Sequence, residues 1–264
     1  MNTSIIYEPR GRAREFAPLA ANLYSGCAHG CVYCYSPSAL RRNRQEFHEN
    51  AKPRVDVLRK FEKDCEILAA ESSIGDSPHR RVAGDFTAGQ SPKILLSFTC
   101  DPYQPIESHF RLTRQAIEIA HRHGLYVEIL TKGGMRAARD FDLLTEKDAF
   151  ACTLTFLEEA DSREWEPLAA PPEERITALK QAKRLGIRTW ASLEPVMDPA
   201  QSLRIIEETQ EFVDLYKVGT LNYHPHARLI DWHDFGWKAK ELLEKSGCKF
   251  ILKEDLKKEM RIKD

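Results

Sequence analysis

From residue 93 onward, short apolar runs alternate with stretches whose apolar positions recur every three or four residues. The runs at 93–100, 125–131, 149–156, 187–194 and 215–222 are rich in β-branched and aromatic residues and predict strands. Between them, 108–123, 135–144, 173–185 and 200–212 predict amphipathic helices, two of which stop at Gly124 and Gly186. Earlier in the chain, 19–25 predicts a first strand. In 54–71, Val55, Leu58, Phe61, Cys65 and Leu68 mark one face of a helix. Residues up to Ala13 are polar and irregular, and 72–92, rich in Gly, Ser and Pro, predicts a long surface loop. Beyond the last clear strand, 231–246 predicts a helix, 248–252 a short strand, and Asp255 onward a basic amphipathic tail that caps or extends the fold.

Strands alternating with helices of this length mean βαβ units and a parallel sheet. Roughly six units can be counted, fewer than the eight of a closed barrel. Doubly wound sheets share the rhythm, so periodicity leaves the two architectures open. In either, ligands bind outside the carboxyl ends of the strands. The first predicted strand delivers at that end the stretch Cys27-Ala-His-Gly-Cys31-Val-Tyr-Cys34-Tyr35, with three thiols at spacing C-x3-C-x2-C.

Soft thiolates select iron–sulfur clusters, zinc or copper(I). Most cubane clusters take four protein thiolates, so three leave one iron open to a substrate or cofactor. The competing reading is a structural zinc site completed by His29 or a distant cysteine. Zinc modules usually bring a second ligand pair at matched spacing, and none follows here.

C-x3-C-x2-C with an aromatic residue before the third cysteine resembles the signature of the radical S-adenosylmethionine (radical SAM) enzymes. The resemblance implies a [4Fe-4S] cluster held by Cys27, Cys31 and Cys34, with S-adenosylmethionine chelated at the open iron. It also implies an electron donor of flavodoxin or ferredoxin type. Reductive cleavage would give methionine and a 5′-deoxyadenosyl radical that abstracts hydrogen from a substrate. The fold it implies is a partial (β/α)6 TIM-like barrel of parallel strands with an open lateral face. The implied organisation is an N-terminal arm (1–20), a radical SAM core (21–225), and a C-terminal helix and tail packed on the core (226–264).

With the cofactor named, the strand ends supply candidates. Tyr33 presents an aromatic face beside the last ligand. Asp101 suits an ammonium group and Lys132 a carboxylate, though a lysine before a turn can equally face solvent. Thr153 and Thr155 suit ribose or carboxylate oxygens, and threonine is also simply a good strand former. Glu194 suits the ribose hydroxyls, or else a structural ion pair with an arginine. Gly219 admits a flat adenine, or serves packing. His224 and His226, alternating in a polar loop, receive no assigned role.

Within the superfamily the chain is most similar to the spore photoproduct lyase-like branch. Tyr33-Cys34-Tyr35, the segment 97–105, Thr131-Lys132 followed by Arg139-Asp140, Trp165-Glu-Pro-Leu-Ala-Ala-Pro171 with Glu174-Arg175, and Ser192-Leu-Glu-Pro-Val196 carry the likeness. This implies a lyase acting on a nucleic-acid base or lesion, with Tyr35 and Tyr33 at relay positions and Cys100 as hydrogen donor. Cys100 is offset from the donor's usual place, and its competing role is a small buried apolar residue. Two alternatives stand beside this: a radical SAM enzyme acting on a protein or small molecule, and a non-enzymatic zinc-binding interaction module.

Composition narrows little. At 264 residues and 42% hydrophobic, the chain buries a sizeable core. A net charge of −1 gives no global basic field for nucleic acid. Arg10, Arg12 and Arg14 precede the cysteines, and Arg41, Arg42 and Arg44 follow them, as local basic clusters or solvated surface. Seven cysteines without framework spacing, no secretory signal and no long apolar run predict a reduced cytoplasmic protein without a membrane segment.

Overall fold

The computed structural model describes residues 4–73 and 93–262. The expected loop at 72–92 lies, apart from the last turn of a helix, outside the described residues. The strands are β1 (Ile6–Tyr7), β2 (Leu19–Ala21), β3 (Tyr24–Ser25), β4 (Lys52–Pro53), β5 (Lys93–Leu96), β6 (Tyr126–Thr131), β7 (Ala149–Thr153), β8 (Arg188–Leu193), β9 (Leu215–Val218) and β10 (Lys249–Leu252). The helices are α1 (Ser36–Ala39), α2 (Arg44–Glu49), α3 (Val57–Ser73), α4 (Glu107–Phe110), α5 (Leu112–Arg122), α6 (Glu159–Trp165), α7 (Pro172–Arg184), α8 (Pro199–Thr209), α9 (Trp232–Lys245) and α10 (Glu254–Glu259).

Eight strands form one sheet in the order β1-β2-β5-β6-β7-β8-β9-β10. All neighbours pair in parallel except β1, which runs antiparallel to β2. β1 and β10 do not pair with each other, so the sheet curves without closing. This is the partial barrel expected, with β1 and β10 added to the six predicted strands. β1 was missed because a two-residue strand in a polar segment carries no periodic signal. β10 is the short strand at 248–252, and it extends the sheet by pairing with β9 over four residues.

Alternation along the strands separates two apolar layers. One side chain set, including Ile94, Leu96, Val127, Ile129, Phe150, Ala191, Leu193, Tyr216 and Val218, packs outward with helices such as α5, α7, α8 and α9. The other set, Leu95, Ala149, Ala151, Trp190 and Leu215, points inward around Phe16 and Phe98. Helix boundaries follow from capping: Asp198 accepts from the backbone of Ala200 and Gln201 ahead of α8, and Asp231 accepts from Asp234 at the start of α9. The expected helix at 135–144 is instead a 3-10 segment, Gly134–Asp140. The helix expected at 108–123 is interrupted at Arg111, whose backbone is left-handed.

The N-terminal arm is built into the barrel. Its 3-10 turn, Gly11–Glu15, leads to Phe16, whose carbonyl accepts from Lys217 at 2.7 Å inside the barrel. Arg12 donates to Asn222 and pairs with Asp255 at 2.8 Å, and Glu15 accepts the backbone N–H of Glu254. The arm thus crosses the gap between the two open edges.

Candidate functional site

The cysteine loop leaves β3 and is held on all sides by backbone contacts. Gly26 has φ +94, and a Cβ there would stand 2.5 Å from the carbonyl of Phe47, so only glycine suits this entry. Gln104, fully buried, accepts from the N–H of Ala28 at 2.8 Å and donates to the carbonyl of Gly26. Val32 donates to the carbonyl of Trp165 at 2.8 Å, and Leu168 to that of His29 at 3.1 Å. The Arg44 guanidinium donates to the carbonyls of Cys31 (3.2 Å) and Cys34 (2.6 Å). None of these contacts uses a sulfur atom.

Cys27, Cys31 and Cys34 are free thiols. Burial, reinforced by Asp101 and Cys31, pushes the Cys27 thiol well up, with the N–H of His29 pulling the other way. Burial also pushes Cys31 up, to about 12. Among the described residues, no three His, Cys, Asp or Glu side chains converge as ligands of one metal ion. Three soft thiols carried by one short loop are the donor set an iron–sulfur cluster takes. His29 does not offer itself as a fourth ligand. Its Nδ1 faces Asp101 at 3.5 Å and its Nε2 faces Arg136 at 3.1 Å, and burial first of all drives its pKa down to about 4.

Around the loop the strand ends converge unevenly. Tyr33 donates its hydroxyl to Glu166 and lies 3.2 Å from Thr155 Oγ1. Lys132 Nζ sits 5.6 Å from the centre of the Tyr33 ring and 4.0 Å from Glu166. Glu166 and Arg175 are both buried and pair at 2.5 Å. Burial alone would raise the Glu166 carboxyl, but Arg175, Lys132 and the Tyr33 hydroxyl overcome it and bring it down to about 2. Arg175 also donates to the carbonyls of Ala170 (2.7 Å) and Thr153 (3.1 Å). One ion pair therefore ties β7, the loop after α6 and the cysteine loop together. Tyr33, Lys132 and Thr155 are thus brought to one place, and Thr153 is joined to it through its backbone carbonyl.

Three other candidates are already engaged by the protein. Asp101 accepts from the backbone of Tyr103 and Lys132 and from Thr131 Oγ1, with His29 beside it. With these four contacts its carboxylate has little capacity left for an ammonium group; it acts as a strut between strand ends. Glu194 pairs with Lys253 and accepts from Asn222 at 3.3 Å, an ion pair with a C-terminal lysine rather than an arginine. The absent Cβ at Gly219 makes room for this same Glu194 side chain, whose Cδ would lie 2.8 Å from it. Cys100 points its thiol at Asn22 Oδ1 (3.7 Å), and Asn22 also donates to the Tyr7 hydroxyl at 2.8 Å. Burial pushes the Cys100 thiol up to about 11. Tyr35 stands 42% exposed at the rim; desolvation of its hydroxyl, then Cys34 and Glu194, push its phenol up. Arg139 and Asp140 are tied to Glu107 and Arg114, away from the cysteines. His224 and His226 pack edge-on and tilted against Trp165.

Glu166 and Arg175 received no role from the sequence beyond their place in similar segments. A buried charge pair leaves no trace in a hydrophobicity pattern, since each member reads as an ordinary solvent-facing charge, Glu166 in a connection and Arg175 on a helix.

No protein-family model matches the chain. Two curated relatives, both uncharacterized, are 28% identical. One, from Methanocaldococcus jannaschii, aligns over 78% of this chain and 71% of its own length. The other, from Acidianus two-tailed virus, aligns over 74% of this chain and 61% of its own. Among solved structures, a cysteine-to-alanine mutant of spore photoproduct lyase with a dinucleoside spore photoproduct superposes at TM-score 0.67. It covers 93% of this chain and 78% of that one at 13% identity. Streptococcus suis SuiB bound to S-adenosylmethionine superposes at 0.59, over 88% of this chain and 49% of that one, at 12% identity. The chain has the spore photoproduct lyase fold. With this barrel the cysteine loop sits at its mouth, where β2 and β5 end.

Proposed function

We propose that this protein is a radical SAM enzyme. The observation that carries the reading is a C-x3-C-x2-C loop, fixed by backbone contacts, at the mouth of an open barrel shared with S-adenosylmethionine-bound SuiB. Cys27, Cys31 and Cys34 hold the [4Fe-4S] cluster, and Lys132, with Thr153 and Thr155 beside it, meets the carboxylate and ribose oxygens of S-adenosylmethionine. When bound, the pair supplies reductive cleavage to a 5′-deoxyadenosyl radical that takes hydrogen from the substrate. Asp101, Glu166 and Arg175 orient these groups without touching the cofactor. No helix of the described residues is long and apolar enough to cross a membrane.

A nucleic-acid base or lesion is the substrate class we favour, on the likeness to spore photoproduct lyase and the Arg clusters beside the cysteines. The lyase subclass, a reduced cytoplasmic setting and the core at 21–225 belong to the same reading. Cys100, if it quenches the substrate radical, does so from beside Asn22.

The test is anaerobic reconstitution with iron and sulfide, followed by reduction in the presence of S-adenosylmethionine. Formation of 5′-deoxyadenosine is the expected result. A colourless protein that keeps zinc and leaves S-adenosylmethionine untouched would establish the binding-module reading instead. For the reconstituted protein, Lys132→Ala is expected to weaken S-adenosylmethionine binding about tenfold by calorimetry, as for a lost charge-assisted contact. Its melting temperature should fall only slightly, because Lys132 stands 4.0 Å from Glu166 while Arg175 remains as that carboxylate's close partner.

A further inference from the structure

Trp165 ends α6, and its indole lines a pocket of about 350 Å³. The pocket is formed by α6, the loops after β7 and β8, the start of α8 and the loop after β9. None of the three cysteines lines it, and neither do Lys132, Thr153 and Thr155. Phe156 and Met197, both buried, give it apolar walls. Two histidines that the cofactor reading leaves unused hold the Trp165 ring. His224 and His226 pack against it at 5.4 and 5.9 Å between ring centres. His226 is itself fixed, since its Nε2 can only donate to the carbonyl of Met197, 3.0 Å away.

The polar lining is acidic. Gln201 donates its amide to Asp161 at 2.6 Å and to Asp198 at 3.2 Å, and its own oxygen accepts from the backbone of Leu157 and Glu158. Asp198 also caps α8. Among the described residues Asp161 accepts from Gln201 alone, so one of its oxygens can take a further donor. No lysine or arginine lines the pocket. The loop after β9 is basic outside it. Arg228 is exposed next to the lining residue Leu229, and Arg12 stacks at 5.7 Å on Tyr223, itself 84% exposed.

We propose that this pocket receives one base of a single-stranded nucleic acid, and that Asp161 selects a base with an exocyclic amino group over thymine or uracil. The inference deepens the nucleic-acid reading above and rests on it. Any base stacks on an indole, whereas a carboxylate accepts from an amino group and repels a carbonyl oxygen. Arginines outside the pocket and none within match phosphates held at the surface and a base turned in. An arginine side chain of a protein substrate would suit the carboxylates but would be repelled by that surface. The volume lies near the low end for ligand pockets, which suits a single base.

The experiment measures binding of labelled oligo(dC) and oligo(dT) of equal length to the full chain by fluorescence anisotropy, with and without saturating S-adenosylmethionine. The wild type is expected to hold oligo(dC) about tenfold more tightly than oligo(dT) under both conditions. Asp161→Ala should erase that preference by weakening oligo(dC) alone, with a nearly unchanged melting temperature. Trp165→Leu should weaken both oligonucleotides, because stacking does not depend on the base. No reduction or cleavage enters the measurement, so its result stands apart from whether a radical forms. Failure of the wild type to bind either oligonucleotide at low salt overturns the nucleic-acid reading and the pocket's role with it. Binding without preference, or a preference that survives in Asp161→Ala, overturns the pocket's role alone. Displacement of oligo(dC) by S-adenosylmethionine also overturns it, by making the pocket part of the cofactor site. Displacement by arginine amide that disappears in Asp161→Ala does the same, by making it a guanidinium seat.

Discussion

Cys34→Ala is expected to give a folded protein that takes up no cluster and forms no 5′-deoxyadenosine. The loop geometry does not depend on the sulfur: Cys34 donates its N–H to Cys31 at 3.1 Å, and Arg44 holds both carbonyls. Alanine keeps these contacts and removes only the ligand. Cys27→Ala and Cys31→Ala should behave alike. Cys65→Ala is the informative control, because that thiol is fully buried in α3 among core residues. Losing it costs on the order of 1 kcal/mol in stability through the small cavity left behind and leaves iron, sulfide and cleavage intact. Iron and sulfide analysis of the four variants decides the assignment. A cluster surviving in Cys34→Ala, or lost in Cys65→Ala, would overturn it.

Arg175→Met is expected to cost about 3–5 kcal/mol of stability, the usual penalty for stripping one partner from a buried ion pair. Glu166 would be left as an uncompensated carboxylate in the interior, and the carbonyls of Ala170 and Thr153 would lose their donor. The double variant Arg175→Met/Glu166→Leu removes both charges and should recover most of that loss in denaturant unfolding. It would not recover function, since Tyr33 then lacks its acceptor and Lys132 its neighbour. The pair also sets an acid limit. The Glu166 carboxyl is held at about 2, below its ordinary value near 4.5, so its contribution is fully present above pH 4.5. As pH falls from 4.5 through 2, the folded state increasingly resists a proton that the unfolded chain accepts, and that stability drains away. Equal stability of the single and double variants would show that the pair is not the keystone described.

Much of this was readable from the chain because the signals were periodic or spaced. The parallel strands from β5 onward and the helices between them follow apolar rhythm, and the three cysteines follow spacing. The sites that escaped lack such a signature. Asp101 and Glu194 sit at strand ends as expected, but their partners Thr131, His29 and Lys253 come from other segments, and only folding shows that the carboxylates are already satisfied. Gly219 reads as an opening until the Glu194 side chain fills it. Glu166 and Arg175, nine residues apart across a proline-rich turn, form a pair that local propensity cannot announce.

The crossing of the N-terminal arm bears on the order of assembly. Phe16 meets Lys217, 201 residues later, and Glu15 meets Glu254, 239 residues later. These contacts have very high sequence separation, and such contacts form late because their loop-closure entropy must be met before they give any return. During synthesis the arm emerges well before its partners near Asn222 and Asp255. The interior lysine therefore meets the arm only once β9 has been made, and the outer seam stays unsealed on the ribosome until β10 and α10 have followed.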